Sequence, residues 1–326
     1  MTLSGEYIDI LQNGYRQGMG MLKNVSIPCL KIAVKAKVEY NKTRVSQKGA
    51  NTHMITIKTD NFDPGQICDS GQCFRMKELQ DGIYEVISRD RYLRLWQQGG
   101  QTIFDCSQEE FDSYWQAYFD LQNDYGSYLE KINPRDTYLT QAADMAKGVR
   151  ILKQDLWEMI VTFLISQQNN IKRIHRCIDM ICETYGKKCM AADGTVYYAF
   201  PEPEALASLA DDALMACNLG YRSKYVVRTA WAVQSGEIDL EKIKEMAYPK
   251  AKGELLKCYG VGEKVADCIC LFALHALDAF PVDTHIRQVL DENYRRGFPN
   301  RRYKGFRGVL QQYIFYYELH KNKTVV

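Results

Sequence analysis

From Met54 onward, apolar and polar residues alternate along the chain. Ile55-Thr-Ile-Lys-Thr, Ile83-Tyr-Glu-Val-Ile and Tyr92-Leu-Arg-Leu-Trp repeat every second position, with Asp81-Gly82 and Gly99-Gly100 as turn signals between them. This pattern predicts an antiparallel sheet with one wetted face. From Glu109 to Ile132 the period lengthens. Phe111, Trp115, Tyr118 and Leu121 fall at helical spacing and predict one amphipathic helix covering the sheet, with Pro134 as its boundary.

Beyond Pro134 every period is helical. Leu156, Ile160 and Phe163 form one stripe; Ile171, Ile174, Ile178, Ile181 and Tyr185 form another, stopped by Gly186. The polar turn Ser166-Gln-Gln-Asn-Asn170 lies between them. A short helix opens at Pro201 and Pro203, and Gly220-Tyr221-Arg222 precedes a helix over Tyr225 to Gln234. A hairpin helix follows Gly260–Lys264, then a helix capped by Asp283 and a closing helix around Val309–Leu319. The expectation is an α+β chain in three parts. Residues 1–53 form a peripheral, loosely ordered extension, in which Cys29–Val38 is a candidate edge strand. Residues 54–133 form the β lobe with its covering helix, and 134–326 form a helical region with a hairpin at 254–275.

Composition excludes more than it assigns. The chain has 326 residues, 46% hydrophobic and 25% charged, which suits a soluble globular protein. No apolar run approaches a bilayer span, and the N-terminus lacks a secretory pattern. Eleven cysteines without regular spacing, several in apolar helical segments, read as reduced core residues in a cytosolic compartment. Cys268 and Cys270 point to different sides of one helix, and no HExxH pattern occurs, so no metal site is expected. A net charge of +2 means that binding to nucleic acid has to rest on local phosphate contacts. Candidates are the Gly260–Gly262 turn and the cluster Arg295, Arg296, Arg301, Arg302, Lys304 and Arg307, whose plainer reading is a solvated surface.

The densest chemistry lies in Gly260-Val-Gly262-Glu-Lys264. A glycine turn opening a helix leaves backbone N–H groups unpaired at a positive helix end, which suits a phosphate. Lys264 falls in the first turn of a helix, Val265–Leu274, that is apolar almost all round. A helix start and burial both disfavour a cation and favour the free amine, which is the nucleophile. The plainer alternative is a solvated lysine. Asp283, in Pro281-Val-Asp283-Thr-His285, reads as the N-cap of Thr284–Leu290, and a capping carboxylate is also preorganised for chemistry. Phosphate anchor, amine and carboxylate together suggest chemistry on DNA.

These motifs resemble the helix–hairpin–helix–Gly/Pro–Asp (HhH-GPD) DNA glycosylase superfamily. Within it they look like the 8-oxoguanine DNA glycosylase branch. The resemblance rests on Ser70-Gly71-Gln72-Cys73-Phe74-Arg75, Asn169-Asn170-Ile171 with Arg173, Leu219-Gly-Tyr221-Arg222, and Gly260 to Leu271 with Pro281-Val-Asp283. It runs in the family's order from about Asp63 to about Leu319. No cysteine follows Cys270, so the C-terminal four-cysteine iron–sulfur loop of some related glycosylases is absent.

The resemblance implies a monomeric enzyme that needs no cofactor and acts on double-stranded DNA in the cytoplasm of a bacterial-type cell. It would flip out an oxidised guanine and attack the sugar with Lys264, with Asp283 stabilising the developing charge. A lysine at this position, missing in monofunctional relatives, implies strand cleavage as well. The Gly71 carbonyl would meet the base at N7–H, Cys268 and Phe315 would sandwich it, and Gln311 would bond its Watson–Crick edge. Gln72 and Phe74 are expected to be scaffold. His285 would contact a phosphate. Tyr221 is the implied wedge in the vacated stack. Arg173 and Arg222 would read the opposite base, together with Gln168, which stands where animal members carry asparagine. Without the family, Phe315 and Cys268 read as core residues and Tyr221 as a packing tyrosine. Two alternatives stay open: a glycosylase for another damaged base, and a non-catalytic DNA-binding hairpin protein.

Overall fold

The computed structural model describes residues 54–80 and 82–322. The extension 1–53, with its candidate strand Cys29–Val38, lies outside the described residues, as does Asp81. Alternation builds the predicted sheet, with more strands than the three clearest runs. In chain order come β1 (Met54–Ile57), a short helix α1 (Pro64–Cys68), β2 (Met76–Gln80), β3 (Ile83–Ser88), β4 (Arg91–Gln98) and β5 (Gln101–Asp105). They pair antiparallel in the order β1-β5-β4-β3-β2. Met76, Val86, Leu93, Leu95 and Phe104 are buried on one face, while β2 turns Lys77, Glu78 and Leu79 to solvent.

The single covering helix over 109–132 is corrected. The chain forms α2 (Gln108–Glu110), a π turn over Phe111–Trp115 and α3 (Gln116–Tyr118), then breaks at Asp120, whose φ is +52°. The π turn rephases the helix so that Phe111, Trp115, Tyr118 and Phe119 are all buried against the sheet. The break is fixed by a charge. Asp120 is fully buried, and its carboxylate takes Asn123 Nδ2 at 2.8 Å and Tyr125 OH at 3.0 Å. Lys153 Nζ lies 2.9 Å from Oδ1, and His275 Nε2 stands 3.0 Å from Oδ2. Only after this knot does α4 (Gly126–Glu130) begin.

The helical region follows the predicted stripes closely. It contains α5 (Thr137–Ala146), α6 (Leu156–Ser166), α7 (Ile171–Tyr185), then a hairpin of β6 (Lys188–Met190) and β7 (Val196–Tyr198) that the periodicity did not indicate. Next come α8 (Pro203–Ala207), two 3-10 turns (Ala213–Cys217 and Gly220–Arg222), α9 (Ser223–Gln234), α10 (Leu240–Lys244) and α11 (Tyr248–Leu255). The chain closes with α12 (Glu263–Phe272), α13 (Thr284–Asn293) and α14 (Arg307–His320). Both α6 and α12 are core helices, with Leu156–Ile165 and Val265–Phe272 buried throughout. The Phe163 and Phe272 rings stack between them at 5.6 Å. Among the described residues no helix is long and apolar enough to cross a membrane.

Asp120 ties the sheet-covering segment to the end of α12, where His275 lies. Burial alone raises its carboxyl, but the hydrogen bond and charge of His275, with Asn123 and Lys153, hold it at about 2. An acid depressed on folding stabilises the fold above the ordinary carboxylate range, and that contribution is lost as pH falls through the folded value. Asp120→Asn is therefore expected to cost about 3 kcal/mol near neutral pH. In urea titrations, the gap to wild type should narrow as pH falls from about 4 towards about 2.

Candidate active site

The hairpin joins α11 to α12 through Cys258–Gly262. Gly260 adopts φ +90°, a left-handed value that favours glycine. Gly262 caps α12 in an extended conformation with no side-chain hydrogen bond, leaving first-turn N–H groups open to an anion. Asp267, buried on α12, takes the Tyr248 hydroxyl at 2.6 Å and Lys252 Nζ at 3.0 Å, which clamps α11 onto α12.

Lys264, the second residue of α12, is half-buried, with Nζ 5.6 Å from the centre of the Phe163 ring. One turn on, Cys268 is fully enclosed. Burial pushes its thiol up; the charge of Lys264 and a hydrogen bond with it pull the thiol down, and Asp267 and Asp283 raise it. One sulfur thus feels both the candidate amine and the candidate carboxylate. Asp283 is the expected N-cap: Oδ1 accepts Ile286 N–H at 2.8 Å, and Oδ2 has no hydrogen-bond partner among the described residues. His285 is exposed in the first turn of α13.

A second group of residues comes from the two ends of the described chain. Gly71 has φ +71°, and a Cβ there would stand 3.0 Å from Phe315 Cε1. The Phe315 ring therefore lies over the Gly71 backbone. One turn earlier on α14, Gln311 is only 4% exposed, yet its Oε1 has no hydrogen-bond partner. Gln72 is scaffold as expected, donating to Ser70 Oγ and Arg150 O and accepting from Leu152 N. Phe74 packs edge-on against His175 at 5.3 Å. Gln312 donates to Ser70 O and pins α14 beside the Gly71 turn.

The third group sits around the turn after α6. Gln168 is exposed at φ +47°, unusual for a residue other than glycine or asparagine. Tyr221 is 47% exposed, with its hydroxyl 3.4 Å from Gln168 Oε1. Arg173 is exposed and donates to Asn218 O at 3.1 Å. Arg222 departs from expectation. It is 4% exposed, and its guanidinium donates to the carbonyls of Gln167, Gln168 and Leu219, so it holds the turn in shape. Two residues here were not singled out from sequence. Gln167 donates to Gly260 O at 3.0 Å, and the Tyr225 ring lies against Gly260. The available signal was Tyr225 four residues after Tyr221, one turn along the same helix face.

Of the basic cluster, Arg295, Arg296, Arg301, Arg302 and Lys304 are exposed, and Arg307 Nε pairs with Asp278 at 3.0 Å. Among the described residues no group of three or more His, Cys, Asp or Glu could hold a metal ion.

The family model for the 8-oxoguanine DNA glycosylase N-terminal domain matches residues 54–160. That for the HhH-GPD superfamily of base excision DNA repair proteins matches residues 161–298. The N-glycosylase/DNA lyase of Saccharomyces cerevisiae is 32% identical over 207 residues, 60% of this chain and 54% of that protein. The Arabidopsis thaliana N-glycosylase/DNA lyase OGG1 is 33% identical over 159 residues, 48% of this chain and 43% of that protein. The chain thus spans about half the length of the curated relatives it matches. Among solved structures, the 8-oxoguanine glycosylase/lyase of Clostridium acetobutylicum, in complex with double-stranded DNA containing cytosine opposite 8-oxoguanine, superimposes with a TM-score of 0.77 at 34% identity. The match covers 82% of this chain and 98% of that one. By these matches the chain belongs to the 8-oxoguanine DNA glycosylase branch of the HhH-GPD superfamily.

Proposed function

We propose that this protein is a bifunctional base-excision repair enzyme that removes 8-oxoguanine from duplex DNA and then cuts the strand by β-elimination. The observation that carries this reading is the placement of Lys264, half-buried in the open first turn of the enclosed helix α12, directly after a glycine hairpin that leaves backbone N–H groups free for a phosphate. The damaged nucleotide swings out of the stack, an opening that costs a few kcal/mol. Lys264 Nζ attacks C1′; the bond from C1′ to the base breaks, and its electron pair leaves with the base. The new C–N bond becomes a Schiff base as the sugar ring opens. Loss of a C2′ proton then expels the 3′ phosphate oxygen and nicks the strand. Asp283, held rigid by the Ile286 N–H, stabilises positive charge at C1′ and helps Lys264 shed its proton.

Recognition of the base falls to the second group. The Gly71 carbonyl accepts the N7–H that only the oxidised purine carries, whereas guanine presents a lone pair there. That contrast is worth about 1–3 kcal/mol. Phe315 and Cys268 flank the base, and Gln311 Oε1, buried and unpaired in the free protein, takes a donor from its Watson–Crick edge. The hairpin N–H groups and His285 hold phosphates, Tyr221 fills the vacated stack, and Gln168 and Arg173 face the orphaned base. Arg222 supports them by shaping the turn. The enzyme works as a monomer in the cytoplasm of a bacterial-type cell, without cofactor or metal. Ten described cysteines, all free, suit a reducing compartment.

Borohydride reduction in the presence of an 8-oxoguanine duplex is expected to trap a covalent protein–DNA adduct that Lys264→Gln abolishes. An adduct formed only with another lesion would assign another substrate, and binding without any adduct would leave a non-catalytic module. Gly71→Ala strains a left-handed backbone and presses on Phe315. It should slow excision at least about tenfold, an effect of about 1–2 kcal/mol, while cleavage of a pre-formed abasic site changes little. Glutamine reaches one methylene further than asparagine, so wild type should excise opposite cytosine and adenine within about tenfold of each other. Gln168→Asn should widen that ratio; strict cytosine dependence in wild type would refute the reading.

A further inference from the structure

Two elements that face DNA in the proposed function, the wedge and the hairpin, meet at one ring. The Tyr225 side chain occupies the space over Gly260: a Cβ on that glycine would fall 2.6 Å from Tyr225 Cγ and 2.7 Å from Cδ2. Gly260 thus lacks a side chain for two reasons, its φ of +90° and the ring above it. The same ring meets Tyr221 edge-on at 5.7 Å and Tyr259 edge-on at 5.4 Å. A continuous aromatic row therefore runs from the exposed wedge to the residue before the phosphate-binding turn. A polar strut runs beside it. Gln167 Nε2 donates to Gly260 O, and Arg222 donates to the carbonyls of Gln167 and Gln168. No hydrogen bond to the Tyr225 hydroxyl occurs among the described residues, so the work falls to the ring face.

We infer that Tyr225 is a positioning residue which sets the distance and angle between the wedge Tyr221 and the phosphate-binding hairpin at Gly260–Gly262. A phosphate held on the hairpin fixes one point of the DNA strand, and the wedge has to enter the stack at a set offset from it. A flat, partly buried ring in contact with both transmits that offset, because ring atoms already in contact resist closer approach. The wedge then fills the gap only when the hairpin is loaded, which joins backbone grip to base opening. Lysine chemistry at an abasic site, where no base has to be extruded, depends on this coupling much less.

The inference rests on the proposed glycosylase reading, and the experiment separates the two. Full-length wild type, Tyr225→Phe, Tyr225→Leu and Tyr225→Ala are compared in single-turnover excision of 8-oxoguanine and in cleavage of an abasic duplex. A 2-aminopurine beside the lesion reports unstacking. Tyr225→Ala is expected to lower excision about 10–100-fold and to blunt the 2-aminopurine signal, with abasic cleavage within about threefold of wild type. Tyr225→Phe, which keeps the ring, should match wild type within about threefold in every assay. Tyr225→Leu fills the space over Gly260 without a planar ring and should resemble the alanine variant, which keeps the test informative if alanine folds poorly. The inference is overturned if both ring-less variants excise at the wild-type rate. It is equally overturned if excision and abasic cleavage fall by the same factor, or if Tyr225→Phe fails like alanine. Wild type inert on both duplexes would instead overturn the glycosylase reading itself.

Discussion

Helix α12 is surrounded by protein from Val265 to Phe272, and that constraint places the rest of the site. A helix apolar on almost every side sits inside the molecule, so its one lysine is confined to the open first turn, beside the hairpin. The Phe163–Phe272 stack and the Asp267 bonds to Tyr248 and Lys252 brace it from two sides. Lys264 is therefore presented from a rigid base. Asp283 is fixed at the start of α13, where its carboxylate caps the helix through Ile286 N–H. Folding and the proposed catalysis ask the same thing of that aspartate, a fixed carboxylate at a helix start.

The residues proposed to hold the base obey a different logic, since they are far apart in sequence. Gly71 belongs to the turn before the sheet and Phe315 to the closing helix. Gln312 bonding to Ser70 holds these ends together, and Gly308 lets α14 start close against Leu271 and Ala279. The free protein leaves Gln311 Oε1 buried and unpaired, which costs about 1–3 kcal/mol. Such a cost is tolerated where a ligand later supplies the missing donor.

Periodicity and turn chemistry made much of this legible from the residues alone. Alternation marked the sheet, the Gly260-Val-Gly262 turn marked the hairpin, and an all-apolar run marked α12 as buried. Three features escaped for physical reasons. The π turn at Phe111–Trp115 and the break at Asp120 are invisible to a helical period, because the break comes from a buried charge whose partners Lys153 and His275 lie far along the chain. The β6–β7 hairpin is too short to show alternation, and only Asp193-Gly194 signalled its turn. The resemblance implied that Arg222 reads the opposite base; in the free protein its guanidinium is instead spent on carbonyls around the left-handed Gln168, which nothing in a linear pattern reveals.

The central question is whether an extruded oxidised guanine arrives next to Lys264, between Gly71 and Phe315. A crystal structure of Lys264→Gln bound to a duplex with 8-oxoguanine reads this directly. The account predicts the base lying against the Phe315 ring, its N7–H directed at the Gly71 carbonyl and a base donor bonded to Gln311 Oε1. A lesion that stays stacked in the helix, or one held elsewhere with Gln311 Oε1 still unpaired, would contradict it.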